Sequence, residues 1–162
     1  RPERMNNFKK EFKKLSENFI VDSSAGLGYE ANCAMELADE LIIVTNPEMP
    51  AVTDALKAIK VAEQLKKPVS GVIVTRVRKD DIELEPEVVK EMLEVPILGM
   101  VPEDMAVKRS IKSKGAVVNL YPKSDAARAY KEIAAKILNV PYDSEKDREG
   151  FFERFSTWLG FK

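Results

Sequence analysis

The chain has 162 residues, of which 44% are hydrophobic and 33% are charged, and its formal net charge is −1. This composition is typical of one globular domain and excludes both a disordered chain and general electrostatic attraction to nucleic acid. The sequence has no histidine and a single cysteine, Cys33, which excludes Ser-His-Asp and Cys-His catalysis, an internal disulfide and most transition-metal sites. Chemistry must therefore rest on aspartate, lysine, arginine, backbone amides or a bound hard cation.

Helices and short apolar strands are predicted to alternate in the first part of the chain. Apolar residues at helical spacing predict an amphipathic helix over residues 8–16. Phe19–Val21 predicts a short buried strand, because aromatic and β-branched residues favour strands. Good helix formers with alanines on one side predict a helix over Tyr29–Ala38. Leu41–Val44 is apolar without alternation, which predicts a second buried strand.

The same alternation continues through the rest of the predicted domain. Proline residues separate its elements, because proline cannot continue a helix. Ser124 is the predicted N-cap of the last helix. The predicted elements are a helix over Ala51–Lys66, a strand over Val69–Val74, a helix over Glu87–Leu93, a strand over Ile97–Val101, a helix over Met105–Ser113, an extended segment over Gly115–Tyr121 and a helix over Ser124–Leu138.

Four predicted strands that alternate with helices indicate an α/β fold, with a mostly parallel sheet flanked by helices. The carboxyl ends of parallel strands meet at one edge of the sheet, where open α/β proteins bind their ligands. Each predicted strand ends at that edge in a polar or proline-marked loop. The four loops begin at Asp22, at Thr45-Asn46, at Thr75-Arg76 and at Pro102-Glu103.

The stretch from Phe19 to Gly26 has two interpretations. Asp22 follows the first predicted strand directly, as a carboxylate at a ligand site would, and Gly26 would let the backbone approach a phosphate closely. Alternatively, the stretch is a capping loop in which Ser23 or Ser24 accepts hydrogen bonds from the first amides of the next helix.

The C-terminal segment differs in character from the predicted domain. We expect an α/β domain over residues 1–139, a linker over 140–149 and an amphipathic helix over 150–162. Aromatic side chains on one face of a short helix are typical of an interfacial membrane anchor. A helix docked on the sheet and a coiled-coil partner helix are the alternatives. The predicted membrane-binding residues are Phe151, Phe152, Phe155, Trp158, Leu159 and Phe161.

In their order along the chain, these motifs resemble the MinD branch of the MinD/ParA family of deviant P-loop ATPases. The resemblance covers nearly the whole length, and the order of the motifs is more specific than any single motif. The motifs are Asp22–Gly26, Ala38–Glu40, Val44–Glu48, Thr75–Arg76, Gly99–Asp104 and the aromatic C-terminal segment.

The resemblance implies roles for individual residues. Asp22 resembles the carboxylate that holds a Mg²⁺-bound water, and Gly26 resembles the glycine whose amide senses the γ-phosphate of ATP. A simple strand-to-helix turn is the alternative for Pro102. The residues that resemble the two adenine-binding loops are Thr75, Arg76, Pro102, Glu103 and Asp104.

The resemblance also implies a function, with ATP and Mg²⁺ as cofactors. It predicts an ATPase that forms a homodimer in its ATP state, positions the division site and cycles between the cytoplasm and the inner leaflet of the membrane. A cell-division regulator similar to MinC is a predicted partner, and no direct binding of nucleic acid is expected. A related ATPase that places flagella or partitions DNA is one alternative, and a non-enzymatic adaptor is another.

The family's phosphate-binding loop, with the pattern Gly-Lys-Gly-Gly-x-Gly-Lys-Thr, is not found in these 162 residues. The resemblance therefore implies the C-terminal part of a longer ATPase. Because that loop cradles the phosphates, we expect ATP hydrolysis by the longer protein and none by this chain alone.

Overall fold

A computed structural model of the chain describes residues 11, 14, 18–78 and 80–142. Helices and strands alternate along the described residues as far as the third strand, and three helices follow it. In chain order they are α1 (Tyr29–Leu37), β1 (Leu41–Thr45), α2 (Met49–Gln64), β2 (Val69–Val77), α3 (Pro86–Leu93), β3 (Ile97–Pro102), α4 (Met105–Lys112), α5 (Val117–Leu120) and α6 (Asp125–Leu138).

The three strands form one parallel sheet in the order β1-β2-β3. Helices flank this sheet, which confirms the predicted α/β class. The described residues divide into two compact units. The first unit runs to Val72 and includes Leu84–Pro96, and the second comprises Ile73–Glu83 and the chain from Ile97 onward.

In the first unit, α2 packs on β1 and α3 packs on α2. Val52, Ala55, Ile59 and Ala62 recur at intervals of three or four residues, so they lie on one face of α2, and all four are buried. Pro50 lies in the first turn of α2, where the missing N–H of proline leaves no helical hydrogen bond unmade.

In the second unit, α6 packs on β3. Val101, Ala126 and Ile133 form the centre of this small core. Ser124 begins α6 as predicted, because its hydroxyl oxygen accepts a hydrogen bond from the Ala127 backbone N–H at 3.2 Å. Gly99 on β3 lets Ile133 approach the strand closely.

Replacing Gly99 with alanine is expected to destabilise the second unit by about 1–3 kcal/mol, the usual result of overpacking a core. The added Cβ would overlap Cγ1 of Ile133 and lie 2.8 Å from its Cδ1. Gly28→Ala is the matched control, since a Cβ there meets no atom within 4 Å. Urea unfolding measures the stability of both variants. Equal stability of the two would contradict the prediction and show that the Ile133 side chain moves aside without loss of stability.

The prediction of a strand at Phe19–Val21 was wrong. The segment lies outside the three-stranded sheet, and Phe19, Ile20 and Val21 are 45%, 99% and 40% exposed. A strand is stabilised by a ladder of hydrogen bonds to a neighbouring strand, and this segment is not part of the described sheet. The described sheet therefore has three strands instead of the predicted four.

The prediction that Leu41–Val44 is a buried strand was only partly correct. These residues do form β1, but Ile42 is 38% exposed and Val44 is 62% exposed. Alternate side chains of a strand point to opposite faces, and α2 covers only one face of β1. The other face of β1 is therefore an exposed apolar surface within the described part of the chain.

The prediction of an extended segment over Gly115–Tyr121 was also wrong. The segment contains the short helix α5, and the Tyr121 N–H donates to the Val117 carbonyl at 2.8 Å. The two adjacent valines favour a strand locally, but burial of Val117 stabilises the helical turn. Tertiary packing has overridden a weak local preference.

Across the described residues, no helix combines the length and the hydrophobicity that crossing a membrane would require. The predicted helix over residues 8–16 falls mostly outside the described residues, although Glu11 and Lys14 within it are helical. The predicted linker and the predicted amphipathic helix from residue 143 onward lie outside the described residues.

Candidate nucleotide site

The carboxyl end of β2 and the carboxyl end of β3, each with the one or two residues that follow it, meet in the second unit. We call residues 75–78 and 102–104 the base loops, because they contain the five predicted adenine-binding residues. The Glu103 backbone N–H donates a hydrogen bond of 2.9 Å to the Val77 carbonyl oxygen, which joins the two base loops directly. The structure thus brings together the two strand ends that carry Thr75, Arg76, Pro102, Glu103 and Asp104, as predicted. The prediction that Thr75 and Arg76 lie in a loop after the strand was wrong, because β2 continues through Val77.

Arg76 has an unusual backbone conformation at the end of β2. Its φ is +60°, in the left-handed region that residues with a Cβ rarely occupy. Such a residue redirects the strand and its side chain locally, as at a bulge. The Arg76 side chain is exposed, whereas Val77, the next residue, is buried. The base loop after β2 therefore departs from regular strand geometry at a predicted site residue.

A buried carboxylate holds the base loop after β2. The Glu83 side chain is only 5% exposed, and its two oxygens accept hydrogen bonds from the Arg78 backbone N–H at 2.8 and 3.1 Å. Arg78 Nε donates to Glu83 at 3.3 Å. Asp80 closes the turn between them, because its side chain accepts from the N–H groups of Ile82 and Glu83, both at 3.2 Å. The carboxylate of Glu83 thus lies inside a closed turn.

Glu103 connects the two base loops through charge. Its carboxylate lies 3.7 Å from Arg78 Nε and accepts a hydrogen bond of 2.8 Å from Lys108 Nζ on α4. The hydrogen bond from Lys108, together with the positive charges of Lys108 and Arg78, holds the pKa of Glu103 below its ordinary value. The hydrogen bond to Glu83, together with the charge of Asp80, raises the pKa of Arg78. Both groups stay charged at neutral pH.

Asp104 has a structural role in addition to its predicted role in base binding. One carboxylate oxygen accepts from the Ala106 N–H at 2.7 Å and so caps α4, while the other accepts from the Ala126 N–H at 3.2 Å in the first turn of α6. The Ala106 hydrogen bond contributes most to a pKa of Asp104 below the ordinary value of 3.8. Both oxygens therefore already bind the N-termini of two helices.

Replacing Asp104 with alanine is expected to lower the free energy of unfolding by about 2 kcal/mol, because one substitution removes two helix caps. The native pKa is depressed, so the stabilisation is full well above pH 3.8 and is lost as the pH falls through the lower native value. Thermal unfolding at neutral pH and at a series of acid pH values descending from 3.8 measures this loss. Asp54→Ala, at an exposed helical position, is the control, and an equal effect of both substitutions would contradict the capping role.

The predicted metal and phosphate residues lie in the first unit, in the segment between Asn18 and α1. Asp22, Ser23 and Ser24 are exposed. Gly26 has a φ of +86°, a conformation that favours glycine, and no atom would lie within 4 Å of an added Cβ. Neither Ser23 nor Ser24 begins α1, whose N-cap is Gly28 without a side-chain hydrogen bond. The capping interpretation of this stretch is therefore wrong.

Sequence reasoning missed two residues of this site, Arg78 and Glu83. Their stretch is charged and contains a proline, which indicated only a solvated loop. The alternation of one arginine with nearby acidic residues was the only local signal, and it does not distinguish a buried carboxylate from an exposed one. The burial of Glu83 arises from the turn that follows β2.

Comparison with known proteins places the chain in a family. The family model described as "4Fe-4S iron sulfur cluster binding proteins, NifH/frxC family" matches residues 3–146. The chain belongs to this family. An ATP-binding protein of Methanocaldococcus jannaschii is 38% identical over 157 residues, which cover 96% of this chain and 60% of that protein. The septum site-determining protein MinD of Escherichia coli is 32% identical over an alignment of 161 positions. The alignment covers 89% of this chain and 59% of that protein.

Two solved structures have the same fold as this chain. MinD of Pyrococcus horikoshii, complexed with Mg-ADP, has a TM-score of 0.77 at 28% identity over 85% of this chain and 56% of that chain. MinD in the Aquifex aeolicus MinC:MinD complex has a TM-score of 0.75 at 25% identity over 86% and 61%. These matches confirm the resemblance to the MinD/ParA ATPases. The chain spans about three-fifths of the length of these relatives.

The iron-sulfur cluster in the family's description does not fit this chain. A [4Fe-4S] cluster is held by four cysteine thiolates, but the sequence contains only Cys33, and two copies would supply only two thiolates. Cys33 is half-buried on α1. Among the described residues, no group of three or more His, Cys, Asp or Glu residues could hold a metal ion. These 162 residues therefore do not by themselves supply the ligands of such a cluster.

Proposed function

We propose that this chain is the base-binding and metal-binding part of a MinD-like ATPase. The observation that carries the proposal is the junction of the two base loops, in which the Val77 carbonyl accepts from the Glu103 N–H at the carboxyl edge of a parallel sheet. Ligands bind at this edge in open α/β folds. The adenine of ATP would lie against the base loops.

The exposed segment before α1 is suited to contact Mg²⁺ and phosphate. Mg²⁺ prefers oxygen ligands and keeps several of its waters, so one carboxylate is sufficient for a water-mediated contact. Asp22 supplies such a carboxylate, and it is exposed. The left-handed backbone of Gly26 leaves its amide without a side chain in the way of a γ-phosphate. Mg²⁺ would neutralise charge on the phosphates, and Asp22 would orient one of its waters.

The exposed apolar face of β1 supports a larger domain. In β1, Val44 is 62% exposed, and Ile20 in the preceding segment is 99% exposed. Apolar side chains of a parallel sheet are ordinarily covered on both faces. The relatives are longer than this chain, and the family's phosphate-binding loop is not found in its 162 residues. We infer that further residues of the complete protein complete the sheet and supply the phosphate loop.

Membrane cycling follows from the same proposal. The complete protein forms a homodimer with ATP, and the segment over residues 150–162 binds the inner leaflet of the membrane through its aromatic residues. The protein is then cytoplasmic in one state and peripheral to the membrane in the other. A MinC-like regulator is a candidate partner, since a structural relative was solved in a MinC:MinD complex. Placement of the division site is the proposed outcome.

Calorimetric titration with Mg-ADP tests the proposed function. We expect the complete protein to bind Mg-ADP and to hydrolyse ATP, and we expect this 162-residue chain alone not to hydrolyse it. Absence of both binding and hydrolysis in the complete protein would instead favour the non-enzymatic adaptor. Binding of DNA by the ATP-bound dimer would favour the partitioning alternative.

A further inference from the structure

Arg78 is the last residue of the first base loop and contacts the second. Neither the family nor the proposed function assigns it a role. Its backbone N–H and Nε both donate to the buried carboxylate of Glu83, in the turn that follows the first base loop. The same Nε lies 3.7 Å from a carboxylate oxygen of Glu103 on the other loop. We call these contacts of Arg78 with Glu83 and Glu103 the Arg78 bridge.

The two ends of the Arg78 bridge are anchored differently. At one end, Glu83 is 5% exposed and lies inside the turn closed by Asp80, so its position is fixed by backbone hydrogen bonds. At the other end, Glu103 is tied by its own N–H to Val77 and by its carboxylate to Lys108 on α4. The bridge therefore joins a rigid turn to the residue of the second base loop that precedes the cap Asp104.

We propose that Arg78 is a positioning residue for nucleotide-base binding, because the Arg78 bridge holds the two base loops at a fixed separation. A planar base is recognised by surfaces held in place before it binds. Arg76 lies two residues before Arg78, and its left-handed backbone conformation sets the direction of the first base loop. Because Arg78 is anchored, it also limits how far Arg76 can move. This inference rests on the proposed function.

The Arg78 bridge contributes to geometry more than to global stability. The Arg78 and Glu103 side chains are 48% and 29% exposed, and ion pairs at such positions add little to the free energy of unfolding. The buried Glu83 carboxylate keeps its hydrogen bonds from the Arg78 backbone N–H when the Arg78 side chain is replaced. Loss of the bridge is therefore expected to loosen the base loops in a protein that remains folded. The affinity for a ligand without a base should not change.

The test is carried out on the complete protein with Arg78→Gln, and calorimetry measures two ligands with Mg²⁺. For ADP, we expect affinity to fall about five- to tenfold, the scale of coupling between residues in contact. For inorganic tripolyphosphate, which has no base, we expect affinity within about twofold of the unsubstituted protein. Arg109→Gln, at an exposed arginine on α4, is the matched control and should change neither affinity.

Arg78→Lys keeps the charge and should restore most of the ADP affinity, and it also provides a folded variant if Arg78→Gln does not fold. The inference would be overturned by unchanged ADP affinity in Arg78→Gln, by an equal loss for tripolyphosphate, or by no difference between the lysine and glutamine variants. If the unsubstituted complete protein binds tripolyphosphate but not ADP, the base assignment fails. If it binds neither ligand, the proposed function itself fails.

Discussion

Replacing Asp22 with alanine in the complete protein is expected to reduce ATP turnover at least a hundredfold while leaving the fold intact. In phosphoryl transfer the metal and its waters neutralise the developing charge, and loss of one stabilising group of this kind typically costs about 10²–10³ in rate. Asp22 is exposed in a segment outside the sheet, so its removal leaves no cavity and breaks no core contact. A steady-state phosphate-release assay measures turnover, and circular dichroism checks the fold.

Asp54→Ala is the control for Asp22→Ala, because Asp54 is an exposed carboxylate on α2 that pairs with Lys57. This control should hydrolyse ATP at the ordinary rate. The role of Asp22 would be withdrawn if Asp22→Ala turned over ATP as fast as Asp54→Ala. A loss of turnover that excess Mg²⁺ restores would support the water-mediated metal contact.

Replacing Phe152 with glutamate is expected to abolish membrane binding of the chain. Burial of one large apolar side chain is worth about 1.5–3 kcal/mol, and a charge at the same position opposes insertion. We expect one copy of the segment to bind modestly and reversibly, because a helix of about a dozen residues is marginal in water and must be ordered at the surface. Two copies in an ATP-bound dimer would bind far more tightly through their effective concentration.

Trp158 is the only tryptophan of the 162 residues and reports this binding. With anionic liposomes, we expect its fluorescence to shift to the blue and the chain to sediment with the vesicles. Phe152→Glu should remove both signals. Ser156→Glu is the matched control, since it adds the same charge on the opposite face of the predicted helix and should keep both. An emission that is already blue-shifted without lipid and indifferent to liposomes would contradict the anchor.

The sequence predicted best where local and tertiary preferences agree. The periodicity of α2, the cap at Ser124 and the strands after Pro68 and Pro96 are local signals, and packing reinforces each of them. The meeting of the two base loops was also predictable, since parallel strands place their carboxyl ends at one edge. These features follow from residue type, residue spacing and the geometry of a parallel sheet.

The sequence failed where the outcome depends on distant neighbours. Phe19–Val21 has the composition of a strand, but a strand requires a partner, and the described sheet offers none to this segment. The burial of Glu83 and the second hydrogen bond of Asp104, to the first turn of α6, depend on contacts that no local pattern encodes. Asp104 thus shows how a residue predicted to bind a base can also be required for the fold.

A crystal structure of the complete protein with Mg-ADP tests the central claim most directly. The account predicts that the adenine lies against Thr75-Arg76 and Pro102–Asp104, with the Arg78 bridge intact beside it and the Asp22 carboxylate within one water of the metal. An adenine bound elsewhere, with both base loops empty, would contradict the account.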